Sequence, residues 1–200
     1  MQSYDMIVIG SGPAGQRAAI QGAKLGKRVA LVERREVVGG ACINTGTIPS
    51  KSMREAVLHL SGYQYHSIYG MNYRVKENIT IADLSFRVQH VVKTEIDVTQ
   101  AQLSRNGVDV VYGAASFIDA THLKVNNARG QSDEFEAGVI VIATGTRPAE
   151  SSNVPINNRT IVSSDQIFSL QTLPRTLIVV GGGVIGVEYA SMFAALGVRV

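Results

Sequence analysis

The 200-residue chain has a single cysteine, Cys42. An internal disulfide scaffold is therefore excluded, and so is a structural zinc site built on several cysteines. Long apolar runs are also missing. The first run, Met6 to Ile9, is far too short for a signal segment or a membrane span, and no basic region precedes it. No later segment reaches eighteen apolar residues without a charge, so a reducing, cytoplasmic setting with no membrane partner is the expectation. Charge of one sign is scarce too. Nineteen Lys+Arg against sixteen Asp+Glu leave a net charge of +3. Without a basic stripe or tail, nucleic acid is disfavoured as a partner. His59, His66, His90 and His122 show no ligand spacing and form no metal set with Cys42.

What the chain does have is apolar content, 45%, enough to fill a core, and 20 glycines. The glycines cluster in three short stretches rather than in a repeat. Residues 4–9 read as a strand, 13–25 as a helix with small residues at Ala14, Ala18 and Ala19, and 28–33 as the next strand. This β-α-β unit belongs to a parallel sheet. Residues 37–48 are glycine-rich and then polar. Pro49 and Ser50 open a helix to about Leu60. Residues 61–82 read as irregular, with Tyr63, Tyr65, Tyr69 and Tyr73 as loop packing. Apolar residues spaced by three and four predict a helix over 83–105 with Asp83 as its N-cap. Three strands follow from residue 108. Then comes FEAGVIVIATG, whose segment VIVIA reads as fully buried. After a polar connector, TLIVVGGGVIGVEYASMFAALGVRV repeats the opening design of strand, glycine turn, helix and strand. The end at Val200 falls at the start of that strand, so the expectation is the N-terminal part of a longer protein.

The first glycine turn, Gly10-Ser11-Gly12-Pro13-Ala14-Gly15, matches G-x-G-x-x-G after a strand and before a helix. Its three glycines serve a tight turn, close backbone approach to a pyrophosphate, and close helix–strand packing. The helix start adds free N–H groups and the positive end of a dipole. Glu33, 23 residues after Gly10, ends the second strand, where a carboxylate accepts ribose hydroxyls. The second turn places the same roles on Gly181, Gly183 and Gly186. The residue that would choose between NAD and NADP lies beyond Val200. A purely structural turn is the alternative at both places. Two dinucleotide sites in one chain point to electron exchange between two dinucleotides, because a dehydrogenase of one organic substrate needs only one.

The segment Gly39-Gly40-Ala41-Cys42-Ile43-Asn44-Thr45-Gly46-Thr47-Ile48-Pro49-Ser50-Lys51 resembles the active-site loop of the FAD-dependent pyridine nucleotide–disulfide oxidoreductases. The resemblance covers the whole chain: the first glycine turn, this loop, Ala143-Thr144-Gly145 at a strand end, and the second glycine turn. It implies an α/β, Rossmann-like FAD-binding domain of three layers over 1–147, a connector over 148–175 and the start of a Rossmann-like NAD(P)-binding domain over 176–200. In that family the loop carries two cysteines separated by four residues. Here Thr47 stands in the second place, and threonine cannot form a disulfide. A retained first cysteine with GTIPSK resembles members that pass hydride between NADPH and NAD+ through bound FAD, Si-specifically. Ile43-Asn44-Thr45 is closer to lipoamide dehydrogenases, and the alternative is a reductase of that kind with another electron acceptor. A regulatory nucleotide-binding module without turnover is a third reading.

The resemblance implies that Glu33 binds the adenosine ribose of FAD and that Gly40 and Ala41 lie near the pyrophosphate. Cys42 and Thr47 fall in the flavin loop, Ala115 at the adenine edge, and Thr144 and Gly145 at the close of the cleft. Lys51 is expected near the flavin and paired with Glu188, the two forming the catalytic pair. Ile185 to Glu188 would face the nicotinamide dinucleotide. Cys42 as a small buried apolar group, Lys51 as a surface lysine and Glu188 as a first-turn acid are the plainer readings. A homodimer through a further C-terminal domain is also implied.

Overall fold

The computed structural model describes residues 1–149 and 153–200. Residues 150–152, inside the expected connector, lie outside the described residues. The chain forms two compact units, Met1–Asn44 with Lys93–Arg147, and Thr45–Val92 with Pro148–Val200.

In the first unit, β1 (Gln2–Ile9) leads through a glycine turn to α1 (Pro13–Lys24) and then β2 (Val29–Glu33). Pro13 suits the first helical turn, where its missing N–H leaves nothing unpaired. A short helix, α2 (Gly40–Asn44), follows. The strands β3 (Asp109–Tyr112), β4 (Ala114–Phe117), β5 (His122–Asn126) and β6 (Ser132–Ile142) complete one six-stranded sheet of order β3-β2-β1-β6-β5-β4. The four strands β3, β2, β1 and β6 are parallel, with Val8 opposite both Leu31 and Val141. The β4-β5-β6 part is antiparallel.

Both faces of β1 and β2 are buried, as a parallel sheet requires. Val8, Val29 and Leu31 pack on Ala19 and Ile20 of α1 and on Leu103 and Val108. Ile7, Ala30 and Val32 pack on Leu123, Val125 and Phe135 from the antiparallel part. The result is a mixed α/β, Rossmann-like architecture.

The expected burial of VIVIA is not observed. Val139 and Ile142 are exposed, and the buried residues of β6 are Phe135 and Ala137. The reason is pairing: β5 accompanies β6 only as far as Glu136. Residues 137–142 therefore pair with β1 on one side and have no strand on the other among the described residues.

The second unit holds α3 (Thr47–Leu60), a 3-10 turn at Tyr63–Tyr65, the short α4 (His66–Tyr69), the first half of α5 (Ile81–Arg105), a 3-10 turn at Ser164–Ser169, and α6 (Val184–Ala195). Met53, Val57, Leu84, Val88, Ile167, Met192 and Phe193 form its core. Three differences from the sequence reading concern boundaries. Helix α3 starts at Thr47 rather than Pro49, so the proline still falls among the first four residues, whose N–H groups have no helical partner. The tyrosine-rich stretch is partly helical, and Tyr69 and Tyr73 stack with ring centres 4.9 Å apart. Asp83 is not the cap of α5. The helix begins two residues earlier, and Thr80 caps it: the Asp83 N–H donates to Thr80 Oγ1 at 3.3 Å while Asp83 Oδ2 accepts the Thr80 N–H at 2.8 Å. This is a reciprocal capping box with aspartate at its fourth position.

The strands expected on either side of α6 do not form as strands. Thr176 and Arg199 make one isolated parallel bridge, with the Leu177 N–H donating to the Arg199 carbonyl at 2.8 Å. A strand is defined by its ladder, and among the described residues only this single bridge forms here. Ile178 and Val180 are exposed.

Candidate dinucleotide and ion-pair sites

The two glycine turns are near copies. Gly10 has φ +106° and Gly181 has φ +109°, a region that an L side chain rarely enters. A Cβ on Gly15 would sit 1.8 Å from the Gly10 carbonyl oxygen, and one on Gly186 would sit 2.5 Å from that of Gly181. The third glycine of each turn thus lets the helix start press against the strand end. The middle glycines, Gly12 and Gly183, are the helix N-caps, extended at ψ 177° and 173°. A Cβ on either would meet nothing within 4 Å. Neither helix start carries a side-chain cap. Each turn therefore presents free N–H groups beside open space, the donor set that suits a pyrophosphate.

Behind the first turn lies Glu33, only 6% exposed. Its Oε2 accepts the Ser11 N–H at 3.0 Å and the Ser11 hydroxyl, and its Oε1 accepts the Arg35 N–H at 2.9 Å. Ser11 is itself fully buried, and its Oγ accepts the Gly39 N–H at 3.0 Å. Gly40 packs so closely that a Cβ there would lie 2.7 Å from Gly12 Cα. Gly10, Gly12, Gly15, Glu33 and Gly40 are thus brought together. Ala41 is exposed and Cys42 half-buried on α2, the latter a free thiol. Ala115 sits on β4, opposite Val125, and the exposed Thr144 and Gly145 follow β6, with Gly10 packed against the Ala143 carbonyl.

A cavity of about 490 Å³ opens at the end of β2 and the β5–β6 turn, lined by Arg34, Arg35, Tyr112, Ala114, Asn127 and Arg129 among others. No ion pair to these three guanidinium groups occurs among the described residues. The free N–H groups of the glycine turn and the buried Glu33 fit the diphosphate and adenosine ribose of FAD, and this cavity adds cationic surface next to them.

In the second unit, Lys51 Nζ of α3 donates to Glu188 Oε1 of α6. The lysine side chain is 58% exposed and the glutamate 16%. Glu188 is the fifth residue of α6 and lies beyond its first turn, so the plainer reading of it as a first-turn acid is not met. Tyr189, the next residue, is buried, and burial pushes its phenol well above the ordinary range, with Glu188 and Asp165 adding to the effect. Ile185 lies exposed on α6, and Thr47 is exposed at the start of α3. Thr45 Oγ1 is buried with no hydrogen-bond partner among the described residues.

Ser11, Arg35 and Thr45 escape a reading by motif. Ser11 occupies a position the motif leaves free, Arg35 acts through its backbone, and Thr45 stands out only by its unpartnered hydroxyl. No group of three or more His, Cys, Asp or Glu side chains able to hold a metal occurs among the described residues.

Residues 4–200 match the family described as pyridine nucleotide-disulphide oxidoreductase, and the chain belongs to that family. Among curated relatives it is 54% identical to a soluble pyridine nucleotide transhydrogenase of Mycobacterium tuberculosis (strain ATCC 25177 / H37Ra), over 100% of this chain and 43% of the relative. It is 39% identical to the protein of the same name from Colwellia psychrerythraea (strain 34H / ATCC BAA-681), over 98% and 42%. The chain thus spans less than half the length of these relatives. Among solved structures, LpdA from Mycobacterium tuberculosis superposes with a TM-score of 0.86 at 28% identity, covering 99% of this chain and 43% of that one. The Cu(II) complex of the HOCl-induced flavoprotein disulfide reductase RclA from Escherichia coli gives 0.82 at 32%, covering 98% and 41%.

Proposed function

We propose that the complete protein is a flavoprotein that transfers hydride between NADPH and NAD+ through FAD, Si-specifically and without a redox-active disulfide. One observation carries this reading: both glycine turns have dinucleotide-binding geometry, while position 47 holds a threonine in place of a second thiol. FAD, when bound, supplies the two-electron store that accepts hydride and returns it. The first glycine turn and Glu33 hold it, with Gly40, Ala41, Cys42, Thr47, Ala115, Thr144 and Gly145 as further contacts. Gly181, Gly183, Ile185, Gly186 and Glu188 bind the nicotinamide dinucleotide. Lys51 is the catalytic cation: it balances negative charge that arises on reduction, and Glu188 keeps it in place. No histidine need abstract a proton. Residues 1–147 are the FAD-binding domain, 148–175 the connector, and 176–200 the start of the NAD(P)-binding domain. The protein acts in the cytoplasm as a homodimer.

The names of the relatives and the family support this reading. The test is acceptor choice. The complete protein, with FAD released and quantified by absorbance after denaturation, should hold flavin in a one-to-one ratio. Its rate from NADPH to an NAD+ analogue should exceed its rate to a quinone or dye. A faster rate to the quinone would favour the reductase alternative, and bound nucleotide without flavin reduction would favour a regulatory module.

A further inference from the structure

We propose that Ser11 is a positioning residue for ribose recognition, aiming the Glu33 carboxylate and tying it to the turn before α2; this rests on the reading of Glu33 as the ribose carboxylate. A buried carboxylate needs donors, and its direction is set by where they lie. Glu33 takes three, and two come from Ser11: its N–H at 3.0 Å and its hydroxyl. The third, the Arg35 N–H at 2.9 Å, holds the other oxygen. Both oxygens are therefore fixed before any ligand arrives, which spares the entropy of ordering the side chain on binding.

The hydroxyl has a second task. Its oxygen accepts the Gly39 N–H at 3.0 Å while its proton goes to Glu33. The same N–H reaches the Ser11 carbonyl at 3.2 Å, and Gln16 Nε2 donates to that carbonyl at 2.8 Å. One buried side chain thus links the glycine turn, the carboxylate and the residue preceding α2. Ser11 has no exposed surface, so water cannot replace its hydroxyl without rearrangement. Alanine at this position would remove one oxygen and both of its hydrogen bonds, leaving the backbone donor in place. Glycine or alanine would satisfy the turn equally well, so the hydroxyl serves the carboxylate and its neighbour.

The experiment compares the dissociation constants of FAD and of an FAD analogue lacking the adenosine 2′-hydroxyl, in the complete protein. Wild type, Ser11→Ala and Ser11→Cys are measured, each with its fold checked by circular dichroism. Wild type should prefer FAD, and the preference should shrink about tenfold in Ser11→Ala, the scale of one charge-assisted hydrogen bond. Ser11→Cys, with a weaker donor, should fall between. A purely structural role would weaken both ligands alike and leave the ratio unchanged; an unchanged ratio in either folded variant overturns the proposal. A wild type that binds FAD but does not prefer it over the analogue overturns the reading of Glu33 and this inference with it. Failure to bind FAD overturns the proposed function.

Discussion

Glycines at the first turn divide into two physical kinds, and substitution should separate them. Gly15→Ala forces a Cβ to within 1.8 Å of a backbone oxygen, which nothing nearby can relieve. The expected outcome is a marked fall in melting temperature, with loss of dinucleotide binding as a consequence. Gly12→Ala adds a methyl into open space. Its melting temperature should stay close to wild type while FAD affinity falls, because the methyl occupies the approach to the helix N–H groups. Glu33→Ala should weaken FAD binding by roughly 1.5–3 kcal/mol, the usual worth of hydrogen bonds to a charged group. Thermal melts would read the stabilities, and calorimetric titration of the complete apoprotein would read the three FAD affinities. The glycines and Glu33 were legible in the sequence because the motif prescribes their residue types. Ser11 was not, because its role depends on a hydroxyl reaching two partners, 22 and 28 residues away in the chain.

Among the elements, the N-terminus of α5 rests on Thr80 and Asp83, with Lys76 donating to Asp83 Oδ1 at 2.6 Å. The Lys76 hydrogen bond, followed by those from Thr80, lowers the Asp83 carboxyl to about 2. A carboxyl depressed on folding adds stability above its unfolded value near 4, lost as pH falls through the folded value. The start of α5 should therefore loosen between about pH 4 and pH 2, and Thr80→Ala should cost ~1 kcal/mol at neutral pH, read by urea denaturation. Hydrophobic spacing gave this helix correctly, but the cap was misassigned because Thr80 and Asp83 are both good capping types, and only the hydrogen bonds distinguish them. The strands beside α6 are expected from the repeat of the opening strand, glycine turn, helix and strand design. A repeated motif marks segments able to form strands; the ladder depends on neighbours, and among the described residues a single bridge exists here. β6 shows the same lesson, since Val139 and Ile142 are apolar and pair with β1, yet stay exposed where β5 no longer accompanies them.

Lys51 and Glu188 also belong to this scale, because each is the fifth residue of its helix and the two helices bring them together. They should behave as a unit. In stopped-flow reduction of the flavin by NADPH, Lys51→Met and Glu188→Gln should each slow the reaction, and the double variant should lose less than the sum. Strictly additive losses at full FAD occupancy would reduce both residues to ordinary helix charges.

Across the whole molecule, the order of motifs carried more than any one of them. A glycine turn alone is a weak sign, but two turns of matching geometry flanking a loop with one cysteine support the proposal that electrons pass from dinucleotide to dinucleotide. The central claim is that no thiol takes part. Cys42 is half-buried, unpaired and faced in sequence by a threonine where a partner would stand. The most direct measurement is steady-state hydride transfer from NADPH to an NAD+ analogue by the Cys42→Ser form of the complete protein, at verified FAD occupancy. The account predicts a rate within about twofold of wild type, a difference of less than 0.5 kcal/mol in the barrier. A loss of a hundredfold or more with FAD still bound would contradict it and return the thiol to the mechanism.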